Sequence, residues 1–409
     1  MRSELHSSDR ATYVGARVLV LGLLAFLMLV PVTLPVTVLR GLVYDRFAVS
    51  ELLASLFMSI NMIGAVVAAP LAGALADRRG RRADLIVAAL LADALLLHAL
   101  TWPVSFAAFM AIRLLEGCAH IVALSLLLSL ASHARGETER GRVMGLTGGG
   151  ITLGVALGAP IGGALGGTDP LAPLHAASAV VTLAAVVAWF GLEESRGAAA
   201  DRPSLRRILA ALRENRLLLA PLAFAFADRF TVGFYTTTFS FFLSRIHGLP
   251  PTRIGFLIAA FMLPFALLSY PFGRLSERTS RVAMISAGSL VYGVLTASVA
   301  WCPVDALPAL MVGLGVASAV MFVPSLLITS DTAPAAIRTT AMGAFNAAGS
   351  AGFIVGPVTG GLVSQWVAAE AGWETGYRAA FAVAGASEIL CVGLGLPYLI
   401  RLVREGRTT

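Results

Sequence analysis

Two pairs of opposite charge stand inside runs that are otherwise apolar: Arg113 with Glu116, one helical turn apart, and Asp228 beside Arg229. Loss of water disfavours the charged form of a carboxylate, and a neighbouring arginine restores it, so the hold of such a group on a proton depends on its surroundings. Reversible proton binding is therefore the chemistry these residues offer, with Glu116 and Asp228 as carriers and Arg113 as a switchable partner. The same residues would also serve as static ion pairs that fix helix register. Asp228 and Arg229, as neighbours about 100° apart on a helix, cannot both face one cavity. His120, one turn beyond Glu116 on the same face, is a relay candidate or a packing histidine.

These groups sit in a chain that is 57% hydrophobic, with a mean hydropathy of +0.83 and long unbroken apolar runs, which is the composition of an integral membrane protein. Runs of roughly 20 residues cross the ~30 Å hydrocarbon core as helices. Spans are predicted at 17–39, 52–74, 84–101, 104–132, 143–167, 171–192, 217–244, 251–275, 282–302, 305–329, 340–368 and 376–400. The ten-residue alternation of a membrane β-barrel is absent. The fold class expected is all-α, with twelve transmembrane helices.

No lysine occurs, and the arginines are unevenly spread. With the amino terminus on the cytoplasmic side, 23 arginines fall on that side, five (Arg40, Arg46, Arg245, Arg253 and Arg378) on the other, and two, Arg113 and Arg229, inside spans. This bias puts both termini in the cytoplasm, and the net charge of +7 reads as a topology signal and not as nucleic-acid affinity. The first span is too long for a signal-peptide core and is expected to be retained. Cys118, Cys302 and Cys391 show no CxxC spacing, and the six histidines no HExxH, so neither disulfides, a metal site nor catalytic residues are expected. An enzyme is thereby disfavoured.

The halves repeat. "GALADRRGRR" aligns with "GRLSERTSR", Gly73 opposite Gly273 and Asp77 opposite Glu277; "MGLTGGGITLGVALGAPIGG" aligns with "MGAFNAAGSAGFIVGPVTGG", Gly154 opposite Gly352 and Gly158 opposite Gly356. Such duplication is typical of secondary transporters that expose a site between two repeats alternately to each side. Three parts follow: a six-helix bundle over 1–192, a cytoplasmic linker over 193–216 with a short amphipathic helix after Pro203 and Ser204, and a second bundle with a cytoplasmic tail over 217–409.

The whole chain resembles the major facilitator superfamily, and within it the proton-driven drug and metabolite efflux branch. "GALADRRGRR" is similar to the superfamily's signature loop between helices two and three, with Gly73, Asp77, Arg78, Gly80, Arg81 and Arg82 at matching positions. "RLLEGCAHIVA" is similar to the fourth-helix motif, with Arg113 followed by Gly117. "GVALGAPIGG" resembles the fifth-helix motif of proton-driven exporters, although Ala159 stands where that pattern has proline and Pro160 follows one residue late. The better copy, Gly352 to Gly361, lies in the eleventh helix.

The resemblance implies a fold of two pseudo-symmetric six-helix bundles in which helices one, four, seven and ten line a central cavity. Arg113, Glu116, Asp228 and Arg229 are then placed for substrate and proton. The loop would act as a gate: Asp77 accepts hydrogen bonds at a helix end or pairs with arginine, and Gly73 admits a close neighbour. Gly154, Gly158, Gly162 and Gly163, with Gly352, Gly356, Gly360 and Gly361, form ridges for close helix packing, and Pro160 and Pro357 permit a bend. Phe226, Phe230, Phe234 and Tyr235 offer a lipophilic or amphipathic compound a surface or serve as core, with Asn61 and Asn346 as polar contacts. Asp93, His98 and Glu388 fall on peripheral helices and are expected to make structural hydrogen bonds. The activity implied is proton-coupled efflux of small molecules, with a metabolite symporter or uniporter as the alternative. It would run as a monomer in a bacterial cytoplasmic membrane, on the proton gradient and without a cofactor; its partners are the lipid bilayer, a small-molecule substrate and protons.

Overall fold

The computed structural model describes the backbone of residues 2–79, 82–132, 137–192, 213, 215–334, 337–406 and 408, and their side chains except those of 2–17, 70–79, 132, 137–141 and 339. No strand occurs among these residues. The first half contains α1 (Arg2–Thr33), α2 (Glu51–Arg79), α3 (Arg82–Ala99), α4 (Phe106–Ser132), α5 (Glu137–Leu165) and α6 (Ala172–Gly191). The second contains α7 (Leu219–Thr236), α8 (Thr238–Ile246), α9 (Pro251–Leu275), α10 (Arg281–Ser298), α11 (Leu307–Thr332), α12 (Arg338–Ala371) and α13 (Trp373–Arg404). Among the described residues eleven segments are long and apolar enough to cross a membrane. The remaining predicted span is α3, whose 18 residues carry Arg82, Asp84 and Asp93.

Two spans differ from expectation. The seventh breaks at Thr237 (φ −134°, ψ −73°) into α7 and α8. Three successive threonines cause the break: Thr236 and Thr237 both donate their hydroxyls to Gly233 O, at 2.8 and 3.2 Å, which competes with the backbone ladder. After Pro31 and Pro35 the first span tightens into a 3₁₀ turn (Leu34–Val38) and then widens into a π turn (Arg40–Asp45), so helical backbone continues past the expected end at 39. The boundary between α12 and α13 is Gly372, whose φ of 82° is open to glycine at little cost.

By internal contacts the chain divides into two compact units, residues 1–35 with 63–200 and residues 36–62 with 201–409. Each contains one glycine ridge. In the first, Gly150, Gly154, Gly158 and Gly162 of α5 lie on the backbone of Gly22, Phe26, Val30 and Leu34, and a methyl group at Gly158 would overlap Val30 O and Thr33 Oγ1. Thr33 locks the crossing by donating to Val155 O at 2.9 Å. In the second, Gly352, Gly356 and Gly360 of α12 lie on Phe226, Phe230 and the Phe234–Thr238 turn, and Gly233 faces the ring of Pro357. Phe26 and Phe226 stand 200 residues apart, and Gly154 and Gly352 stand 198 apart, so the repeat extends from the glycines to the surfaces that receive them. Gly163 is buried in α5, and Gly361 meets Leu52 and Ser55.

Candidate functional site

Helix α4 presents Arg113, Glu116 and His120 on one face. The Arg113 guanidinium donates to Glu116 Oε2 at 2.8 Å, with side chains 2% and 6% exposed. His120 Nδ1 lies 3.1 Å from Asp93 Oδ2 on α3, while Asp93 Oδ1 has no hydrogen-bond partner among the described residues. Donor atoms of Asp93, Glu116 and His120 all fall within 4.8 Å of one another. Asp93, expected as a peripheral structural residue, thus belongs to the Glu116 group. Ser178 of α6 helps place it by donating to Ala94 O at 2.8 Å. His98 packs edge-on against Trp102 and also meets the His175 ring.

Charge counting limits what this group can hold. Two carboxylates and one guanidinium leave one negative charge, which a proton on His120 cancels. Two carboxylates and an imidazole also form a divalent-cation donor set, but with Arg113 on Glu116 a divalent ion would overshoot neutrality by one. The group is thus two carboxylates, an imidazole and a guanidinium held together in a dry setting, where each gain or loss of charge is costly.

In the second unit Asp228 and Arg229, neighbours on one helix, still form an ion pair. Asp228 is buried, with Oδ2 3.4 Å from Arg229 Nη1, whereas the Arg229 guanidinium lies over the rings of Phe322 and Phe353 at 4.8 and 5.6 Å. Glu388 of α13, expected to be hydrogen-bonded, has the Ser289 hydroxyl of α10 beside it but no partner at hydrogen-bond distance among the described residues, and stands within electrostatic reach of Asp228.

The aromatic stripe is mostly occupied in packing. Phe230 and Phe234 press on Ala380 and Ala384, and Tyr235 is buried, with its hydroxyl bonded to Thr296 Oγ1 at 3.1 Å. Phe226 differs. With Leu219, Ala223, Ser387, Cys391 and Tyr398 it lines a cavity of about 590 Å³ between α7 and α13, apolar apart from a few hydroxyls. Asn346 is exposed and Asn61 half-buried, on different helices.

Another charged group, in the second unit, had no signal in the sequence. Glu51, 1% exposed at the start of α2, accepts a hydrogen bond from the Tyr377 hydroxyl at 2.8 Å and lies 3.4 Å from Arg245 Nη2. Arg245 stacks on Trp373 at 3.8 Å and on Tyr44 at 4.9 Å, and Arg40 donates to Ser244 O at 3.1 Å. Next to it, burial against Phe242 pushes the His247 imidazole below its ordinary pKa, with Glu374 opposing weakly.

Of the loop residues, Gly80 and Arg81 lie outside the described residues, as do the side chains of Asp77 and Arg78; Gly73 is described only as helical backbone. Arg82 opens α3 and is 3% exposed. In the repeat copy, Arg281 forms an ion pair with Asp331 and Gly273 packs on Val323. Residues 193–212, with the expected surface helix, also lie outside the described residues.

Two sets of packed apolar helices, each with buried ionisable groups, are those of a polytopic membrane protein. The chain belongs to the Major Facilitator Superfamily, which it matches over residues 18–244 and again over 222–408. No curated protein is matched. Solved structures share the fold: a bacterial homologue of the human lysosomal transporter Spinster (TM-score 0.82, 15% identity, 97% of this chain and 98% of that one), the nucleoside transporter NupG in a mutant form (0.78, 15%, 93% and 99%) and a D-xylose–proton symporter (0.75, 15%, 94% and 98%). The protein is a membrane transporter and not an enzyme.

Proposed function

We propose that the protein is a proton-coupled secondary transporter that exports lipophilic or amphipathic small molecules by alternating access. The observation that carries this reading is the buried Arg113–Glu116–His120–Asp93 group, where one proton decides between neutrality and an uncompensated charge in an apolar interior. Glu116 is the carboxylate in contact with arginine, and Asp93 with His120 supplies the adjoining proton step. Export is supported by the glycine ridge of α5 and its better copy in α12, similar to the pattern of proton-driven exporters. The substrate class is supported by the apolar cavity beside Phe226 and by the Arg229 cation, held between rings and partly exposed. On this reading the bundles are 1–192 and 217–409, and the protein works as a monomer in a bacterial cytoplasmic membrane with both termini inside.

The test is proton flux in proteoliposomes with an internal pH dye, while lipophilic cations and neutral drugs are added to wild type and to Glu116→Gln. Proton movement opposite to substrate, lost in the variant, supports antiport. Movement in the same direction establishes a symporter, and substrate flux with no proton signal leaves a uniporter.

A further inference from the structure

Around Asp228 and Glu388 the described residues bury two carboxylates beside one guanidinium. Asp228 on α7 has Arg229 at 3.4 Å. Glu388 on α13 has no exposed surface, and neither of its carboxylate oxygens has a hydrogen-bond partner among the described residues. Asp228 Oδ1 and the Tyr292 hydroxyl, both buried, are likewise without hydrogen-bond partners there, and each interacts electrostatically with Glu388.

Packing makes the site. Helices α10 and α13 meet where Gly293 faces Gly385, so closely that a methyl group at Gly293 would sit 3.0 Å from Glu388 Cβ. Helix α7 closes the other side, where Thr231 Oγ1 lies 3.4 Å from Ala384 O. The titratable and charged groups around Glu388 are Asp228, Arg229 and Tyr235 of α7, Tyr292 of α10 and Cys391 of α13 itself. The Tyr235 hydroxyl is taken by Thr296, and the Ser289 hydroxyl of α10, 3.2 Å from Met321 Sδ, is the polar side chain that also interacts with the Glu388 carboxylate.

An ionised carboxylate with no partner is very costly in so dry a setting, and a second carboxylate nearby adds to the cost. Two acids and one arginine leave one negative charge, which a single monovalent cation cancels. Every atom named here as lacking a partner is an oxygen, which disfavours soft metals. A proton adds no volume, which suits a site where the backbones of α10 and α13 are in contact at Gly293 and Gly385.

We propose that Asp228 and Glu388 form a second proton-binding site, with Glu388 the main holder and the Tyr292 hydroxyl a polar neighbour of both. The site is separate from the Glu116 group of the first unit. Its part in transport rests on the proton-coupled reading, but its occupancy does not.

Infrared difference spectroscopy of the purified full-length protein tests occupancy, in choline chloride at neutral pH, for wild type, Glu388→Gln and Tyr292→Phe. The expected result is a protonated carboxylic-acid carbonyl band in wild type that is absent from Glu388→Gln and unchanged when sodium replaces choline. Tyr292→Phe, which keeps both acids and the packing, is expected to retain the band at a shifted frequency. It stands as the test should the Gln variant fail to fold. Identical spectra for wild type and Glu388→Gln, an unshifted band in Tyr292→Phe, or loss of the band in sodium would each overturn the proposal. The band together with absence of substrate-linked proton flux in wild type would uphold the site and overturn the coupled-transport reading.

Discussion

The Tyr377 hydroxyl donates a 2.8 Å hydrogen bond to Glu51 Oε2 across 326 residues of chain, onto a carboxylate that is 1% exposed. A buried hydrogen bond to a charged group contributes roughly 1.5–3 kcal/mol. Tyr377→Phe is therefore expected to destabilise the protein by about that amount, read as a lower unfolding temperature in detergent. An unchanged value would mean that Arg245 and Ser364 satisfy Glu51 without Tyr377.

The glycine ridges predict a pair of matched defects. A methyl group at Gly158 overlaps Val30 O, and one at Gly356 overlaps Phe230 O, whereas Gly145 has open space on its side-chain side. Overpacking of this kind costs about 1–3 kcal/mol. Gly158→Ala and Gly356→Ala should both lower thermal stability and folded yield, with Gly145→Ala close to wild type. Equal behaviour of all three would show that the ridges have slack.

Neutralising Glu116 removes the carboxylate 2.8 Å from the Arg113 guanidinium. Breaking a buried pair from one side costs about 3–5 kcal/mol. Glu116→Gln should lose both stability and substrate-linked proton flux, and Arg113→Gln with Glu116→Gln should regain stability without flux. Recovery of flux in the double variant would make the pair structural.

Asp93 and His120, 3.1 Å apart on different helices, should be energetically coupled. A double-mutant cycle with Asp93→Asn and His120→Gln, scored by thermal unfolding, is expected to show an interaction energy of about 0.5–3 kcal/mol. Additive effects would separate the two residues and remove His120 from the proton path.

His247 lies outside the spans, and burial lowers its pKa in the fold. The unfolded chain then takes up the proton more readily, at about pH 6.5, so the stabilising contribution is present above that pH and is lost as pH falls toward the folded value. His247→Gln should show a slightly flatter loss of stability between about pH 7 and pH 5 than wild type, measured by parallel thermal melts.

Much of this was legible before the fold was seen. Twelve hydrophobic spans, the duplicated glycine rows, and the Arg113–Glu116 pair all follow from local spacing, because a helix places residues three or four apart on one face whatever it packs against. The break at Thr237 had its cause in the chain as well, three adjacent threonines below Gly233, yet an apolar run hides a broken helix from a hydropathy reading.

Other relationships were set by tertiary contacts. Asp93 joins Glu116 only because α3 packs with its carboxylate toward α4, and Glu388 meets Asp228 only because α7 packs on α13, where Thr231 Oγ1 lies 3.4 Å from Ala384 O. Glu51 finds Tyr377 from near the other end of the chain and Arg245 from its middle. The sequence by itself determined a twelve-helix transporter with charge at a few buried positions, since membrane insertion and helix periodicity are local properties. Which buried charges share a site was decided by the tertiary structure, because the angular placement of one helix against another depends on packing between segments that carry no mark of each other.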